Sequence, residues 1–181
     1  IQDLEYFNRF TIIAAYLTAQ ILTEQLKIKT YIKWPNDIWT DNGKIAGILT
    51  QCVTSSKTHG VLGIGINLNV QHDEIKNIEN AWSLESCFKK KNINLYPYLL
   101  KIVKQLLKNW EKGIDIPAIS SQLNNILLWK NQLVVLEDKE KITGILREVN
   151  NQGHLVIETD TKHYTAKTFT NLRKHPPSQS N

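Results

Sequence analysis

Lys33-Trp34-Pro35-Asn36-Asp37 puts a cation, a bulky ring, a turn and a carboxylate into consecutive positions, and Gly43-Lys44-Ile45-Ala46-Gly47-Ile48 brings a second lysine soon after. Two lysines near one carboxylate suit a phosphate and its metal ion. A lysine acts on phosphate oxygens as a point charge. A carboxylate can hold Mg²⁺, an ion that usually also takes substrate phosphates. The plainer alternative is that Lys33 and Lys44 are solvated and Asp37 caps a turn, because most charged side chains are simply exposed.

A second stretch, Gly63-Ile64-Gly65-Ile66-Asn67-Leu68-Asn69, lies within a run from Val61 to Val70 that reads as one strand. Side chains alternate faces along a strand. Ile64, Ile66 and Leu68 then make a core face. Gly63, Gly65, Asn67 and Asn69 make a face that is bare for two steps and carboxamide after that. Glycine weakens a strand, so two on one face suggest that something approaches the backbone closely. A ligand is one such object, and a closely packed neighbouring element or a bulge is the other.

Several chemistries are excluded. Gly43-Lys44 is followed by Ile45 and lacks the upstream glycine of a P-loop. Gly63-Ile64-Gly65 has Leu68 where a dinucleotide fingerprint needs a third glycine. His59, His72, His154, His163 and His175 are scattered, and neither they nor Cys52 and Cys87 show zinc spacing. Lys89-Lys90-Lys91 reads as a solvated helix end rather than a nucleic-acid patch.

The elements that must position these groups are legible from pattern. Residues 3–26 read as a long helix on the stripe Phe7, Phe10, Ile13, Ala14, Leu17, Ile21 and Leu26, with Asp3 as N-cap. Thr30–Trp34 is a strand stopped by Pro35. Asn36-Asp37 makes a turn, Ile38–Thr40 extends, Asp41-Asn42-Gly43 is a hairpin signal, and Lys44–Val53 returns. Residues 71–82 form a polar connection. Ser83–Lys91, Pro97–Glu111 and Pro117–Leu127 read as helices. After Trp129 come four short strands, Leu133–Leu136, Lys141–Val149, His154–Glu158 and His163–Phe169, with tight polar turns, as in a small barrel or meander. Residues 1–129 and 130–173 are therefore expected as two domains, with 174–181 a disordered tail.

Composition sets the frame. In 181 residues, 41% are hydrophobic and 22% charged, the balance of a globular chain. No uncharged apolar run reaches the roughly 18 residues that a membrane helix needs. Two cysteines are too few for a disulfide scaffold, which points to a reduced, cytoplasmic protein. The net charge of +5 favours an anionic ligand such as a nucleotide. The chain holds no Met and opens on Ile1, so a fragment or a processed product is expected.

In order and at this spacing, Lys33-Trp34-Pro35-Asn36-Asp37, Gly43-Lys44-Ile45-Ala46-Gly47-Ile48-Leu49 and Gly63-Ile64-Gly65-Ile66-Asn67-Leu68-Asn69 resemble the bacterial biotin protein ligases. Ala81-Trp82-Ser83-Leu84 is similar to that family's Ala-Thr-Ser-Leu segment, with Trp82 in place of Thr. The stretches around Asp138, Gly144, Gly153 and Asn171-Leu172-Arg173 resemble its SH3-like domain. The resemblance implies an α+β fold. A mixed sheet with helices on one side forms a class II synthetase-like core, followed by a small SH3-like β-barrel.

It also implies a reaction. Biotin and Mg-ATP give biotinyl-5′-AMP and pyrophosphate. Biotin then passes to a lysine of the biotin carboxyl carrier protein of acetyl-CoA carboxylase. By resemblance Lys44 contacts the acyl-phosphate linkage and Lys33 lies near the phosphates. Trp34 joins the biotin and ATP site. Asn36 and Asp37 bind nucleotide and Mg²⁺, and Asp37 orients the incoming carrier lysine. Gly63 and Gly65 floor the ligand, Gly47 lets it lie close, and Asn67 faces the nucleotide. The resemblance admits a homodimer and implies neither membrane nor nucleic acid for this portion. The family's Gly-Arg-Gly-Arg loop, which closes over the intermediate, has no match here, and this makes activity of the chain alone doubtful. The alternatives are a lipoate-type ligase relative, a carrier-binding or dimerising module without turnover, and a nucleic-acid-binding barrel.

Overall fold

The computed structural model describes residues 2–54, 58–88, 94, 96–113, 115–137, 140–167 and 171–176. They form two compact units, Ile1–Asp115 and Ile116–Asn181.

The first unit opens with α1 (Gln2–Leu26). The expected stripe is buried from Phe7 to Ile21, with Leu26 half-buried, and Ile12, Ala15, Thr11 and Thr18 are buried as well. The middle of α1 is enclosed all round, as a central rather than a surface helix would be. Thr11 Oγ1 donates to Thr50 Oγ1 at 2.6 Å, so a half-buried hydroxyl pair ties the helix to the sheet. The helix ends at Leu26, and Lys27 takes a positive φ of 56°.

Four strands follow, β1 (Tyr31–Lys33), β2 (Asp37–Thr40), β3 (Gly43–Thr54) and β4 (Thr58–Ile66). They pair antiparallel in the order β1-β2-β3-β4. Among the described residues, parallel pairing is confined to an isolated bridge between Lys44 and Ala81. Ile32, Ile38 and Ile48 point to the buried face, which α1 covers. The strand expected over Val61–Val70 starts earlier and stops at Ile66. Asn67 then donates its N–H to Ile45 O at 2.8 Å. The register between β2 and β3 slips by one residue at Ile38/Trp39, a β-bulge that local pattern does not announce.

The connection after β4 contains a short helix, α2 (His72–Ile75), and then α3 (Leu84–Phe88). Lys89-Lys90-Lys91 lies outside the described residues. Next comes α4 (Tyr96–Lys112). Trp110 packs edge-on against Tyr6 and Phe10 of α1, with centroids 5.3 and 5.1 Å away.

The second unit begins earlier than the expected 129/130 boundary. Residues 116–129 belong to it, and the reason is Asn124 of α5 (Ser120–Asn125). Its carboxamide accepts the N–H of Val149 at 2.8 Å and donates to Val149 O at 2.9 Å. The strands are β5 (Leu133–Glu137), β6 (Lys141–Val149), β7 (Leu155–Glu158), β8 (His163–Ala166) and β9 (Asn171–Lys174). They pair antiparallel in the open order β8-β7-β6-β5-β9. The fifth strand, β9, was absent from the sequence pattern, because its single buried residue, Leu172, gives no alternation to read. Lys174, expected in the tail, pairs with Val134.

Candidate active-site face

One cross-strand row organises the site. Lys33 pairs with Asp37, Asp37 with Gly47, and Gly47 with Gly65. Directly opposed residues share a face of a sheet, so these four stand side by side on the face away from α1. The next row adds Leu49 opposite Gly63. Leu49 is 59% exposed, and both Gly63 and Gly65 are open to solvent. A Cβ at Gly63 or Gly65 would find its nearest neighbour at 3.7 or 3.8 Å, so among the described residues no element packs down on them. The bare face that the spacing suggested is therefore open, and close packing is not its cause.

Lys44 joins this face through the bulge. Three positions before Gly47, it would face the opposite way in a regular strand. The slipped register pairs it with Trp39 instead, two residues from Asp37 on the same side. Its ammonium reaches Asp37 Oδ1 at 2.6 Å. The pair crosses directly over Gly47, where a Cβ would stand 3.3 Å from Lys44 Nζ and 3.5 Å from Asp37 Oδ1. The two side chains are 39% and 18% exposed, so the pair is accessible from solvent but partly desolvated.

The backbone around Lys44 is clasped from several sides. Its N–H donates to Asn80 O at 2.7 Å, and its carbonyl accepts the N–H of Trp82 at 2.8 Å. Asn67 Nδ2 donates to Trp82 O at 3.0 Å and lies 3.4 Å from Lys44 O. Gly43, at φ 152°, makes the close approach possible, because a Cβ there would meet Asn80 O at 2.6 Å. Asn36 plays a similar part for the preceding turn. Its Nδ2 donates to Ile48 O at 2.8 Å, and its carbonyl accepts the N–H of Ile48 at 2.9 Å. Both carboxamides expected to meet ligand thus hold backbone. Only long-range pairing decides this, so no sequence signal marked it.

The remaining expected residues fall differently. Lys33 sits with its ammonium 5.4 Å from the centroid of Trp39, and the ion pair to Asp37 is made by Lys44. Trp34 is 3% exposed and belongs to the core at the turn. Tyr31, opposite Trp39, carries Lys29 over its ring at 4.9 Å and donates its hydroxyl to Asp41 at 2.8 Å. Contact with Tyr31 raises the Lys29 pKa above the ordinary lysine value. No cluster of three His, Cys, Asp or Glu occurs among the described residues. Asp37 alone offers one carboxylate, already joined by an ammonium. That suits an ion arriving with substrate phosphates better than one the protein holds by itself. Cys87 lies near the site's supporting segment, where burial pushes its thiol pKa up.

Comparison with known proteins follows the same residues. A profile of the Biotin/lipoate A/B protein ligase family matches residues 3–67. The "Bifunctional ligase/repressor BirA" of Escherichia coli is 28% identical over 156 residues, which is 83% of this chain and 48% of that protein. The protein of the same name from Bacillus subtilis is 29% identical over 171 residues, 83% of this chain and 51% of its own. The chain thus spans about half the length of the curated relatives it matches. In fold it resembles a biotin protein ligase from Aquifex aeolicus, with a TM-score of 0.83, 24% identity, and coverage of 96% of this chain and 78% of that one. The Aquifex ligase solved with biotin and ATP gives 0.82 at 24% identity, covering 97% and 76%. The matched residues 3–67 hold Lys33, Asp37, Lys44, Gly47, Gly63 and Gly65, so the likeness to the Biotin/lipoate A/B protein ligase family falls on the residues of this face.

Proposed function

We propose that this chain is the catalytic face of an ATP-dependent biotin–protein ligase, acting on biotin, Mg-ATP and a carboxylase carrier domain. The observation that carries the reading is the Lys44–Asp37 pair lying over Gly47 on a face otherwise floored by glycine. In the first step a biotin carboxylate oxygen bonds to the α-phosphorus of ATP, and the bond to pyrophosphate breaks. Lys44 lies at the edge of the bare strip and offsets the negative charge that builds on the phosphate. Asp37 holds that ammonium in place before the substrates arrive. Gly47, Gly63 and Gly65 let the thin, mixed anhydride lie against the backbone without a side chain intervening.

In the second step the carrier's lysine nitrogen bonds to the acyl carbon and AMP leaves. The attacking amine must first shed a proton, and Asp37 is the carboxylate at hand to receive it. Asn36 and Asn67 act through the backbone, fixing the strands on which Asp37 and Lys44 stand. Among the described residues no helix is long and apolar enough to cross a membrane. The family description covers lipoate as well as biotin, so the competing acid is part of the test. The test is the intact mass of a purified carrier domain after incubation with this chain, Mg-ATP and biotin, with lipoate as competitor. A gain of one biotin, insensitive to lipoate, is expected. Transfer of lipoate in preference to biotin overturns the substrate assignment. Failure to bind synthetic biotinyl-5′-AMP overturns the site itself.

A further inference from the structure

Lys33 and Lys44 stand on either side of β2, and each leans onto it diagonally. By register Lys33 lies across from Asp37, and Lys44 across from Trp39. Their contacts run the other way. Lys44 Nζ meets Asp37 Oδ1 at 2.6 Å, and Lys33 Nζ lies 5.4 Å from the centroid of the Trp39 ring. Diagonal neighbours on one face of a sheet are within reach of long and aromatic side chains. The two partners hold an ammonium in different ways. A carboxylate cancels its charge, whereas a ring face attracts it through the quadrupole and cancels none. Lys33, Lys44 and Asp37 therefore leave one net positive charge beside the bare strip, and Trp39 holds one of the two ammonium groups that supply it. The ring is itself braced. Tyr31 stands directly opposite Trp39, and its hydroxyl donates to Asp41 at 2.8 Å.

We propose that Trp39 is a positioning residue for the triphosphate of ATP, and that it acts through Lys33. The ring keeps that ammonium in one place without neutralising it, ready for the oxygens of the two outer phosphates. Lys44, already joined to Asp37, serves the reacting phosphate. A lysine stem is flexible, and ordering it beforehand lowers the cost of ordering it when the substrate binds. A tryptophan suits this post better than a second carboxylate, which would erase the charge that the outer phosphates need. The inference rests on the ligase reading above and gives a role to a residue which that reading leaves unused.

The experiment titrates the full chain with Mg-ATP and, separately, with synthetic biotinyl-5′-AMP, which keeps the adenine and the reacting phosphate and lacks the outer two. Trp39→Leu removes the ring face. It should lower affinity for Mg-ATP relative to biotinyl-5′-AMP by about three- to fivefold, and Trp39→Phe, which restores a ring face, should fall between it and the wild type. Lys33→Gln should lower the same ratio about tenfold. Adding Trp39→Leu to Lys33→Gln should lower it no further, because the ring acts through the ammonium. The ε-protons of Lys33, shielded by the ring, should move downfield in Trp39→Leu. Equal loss for both ligands overturns the proposal, since the ring then acts on the adenine or on the fold. So do additive losses in the double variant, or Lys33 ε-protons that ignore Trp39→Leu. Binding of biotinyl-5′-AMP with an unaltered ratio in Trp39→Leu overturns the proposal alone. A wild-type chain that binds neither ligand overturns the ligase reading and this proposal with it.

Discussion

Lys44 meets Asp37 because Gly47 stands between them without a side chain. The ammonium–carboxylate contact of 2.6 Å passes over the one position in the row where a Cβ would crowd both groups. The glycine is therefore part of the charge arrangement as well as of the floor beneath a ligand.

Replacing Lys44 by Ala should lower biotinyl-adenylate formation at least about tenfold, since a charge at the reacting phosphate is lost. Stability should change by less than about 1 kcal/mol, because partly exposed ion pairs contribute little. Adenylate release measured beside a thermal melt separates the two effects. Unchanged adenylation removes Lys44 from the mechanism.

Gly47→Val puts a branched side chain beneath the ion pair, where even its Cβ would lie 3.3 Å from Lys44 Nζ and 3.5 Å from Asp37 Oδ1. The pair must separate, so adenylation should fall while the fold survives, because this face of the sheet is uncovered. Gly63→Ala, with 3.7 Å of room, should leave the free protein's stability within about 0.5 kcal/mol and act only on ligand affinity.

Gly43→Ala acts differently. A φ of 152° combines with a Cβ 2.6 Å from Asn80 O. The expected cost is about 1–3 kcal/mol, read as a lower urea midpoint. Amides of Lys44 and Trp82 should exchange faster, because their bonds to the Asn80–Trp82 segment loosen.

In the second unit, Asn124→Ala strips the hydrogen bonds from Val149 N and O, which are buried on β6. A buried donor and acceptor left unmet cost about 1–3 kcal/mol. The loss should appear as earlier unfolding of the second unit in exchange experiments, with adenylate binding by the first unit unaltered.

Burial raises the Cys87 thiol above its ordinary value of 9.0. Its alkylation at pH 8 should be slow and should climb only beyond the usual thiol range. Above pH 9.0 the unfolded thiol ionises while the folded one keeps its proton, so folding loses stability there. Fast alkylation of Cys87 at pH 7 contradicts the burial.

Local features were legible in the sequence. The stripe from Phe7 to Ile21 specified α1, and Asp41-Asn42-Gly43 specified the β2–β3 hairpin, because each depends on neighbours in the chain. The triad of Lys44, Asp37 and Gly47 was legible as residue types near one another. Their common face was not, since alternation alone places Lys44 opposite to Gly47. Asn36 and Asn67 looked like ligand groups because a carboxamide's partners are chosen by the fold. They bind Ile48 O and Trp82 O, positions far away in sequence. Strand β9 was missed for a related reason: it is completed by pairing with β5, not by its own pattern.

The slipped register at Ile38/Trp39 has an implication for how this protein can change. Between Asp37 and Gly47, length is a stricter constraint than composition. Inserting one residue between Ile38 and Trp39 would keep every charged group in the chain, yet it would give Ile45 a partner, restore regular pairing and turn Lys44 to the side of Ile38, which is 0% exposed. The ammonium would then be carried into the core while its carboxylate stayed in water. Substitutions can accumulate along this hairpin one at a time, but a residue added opposite the bulge switches the face on which the chemistry stands.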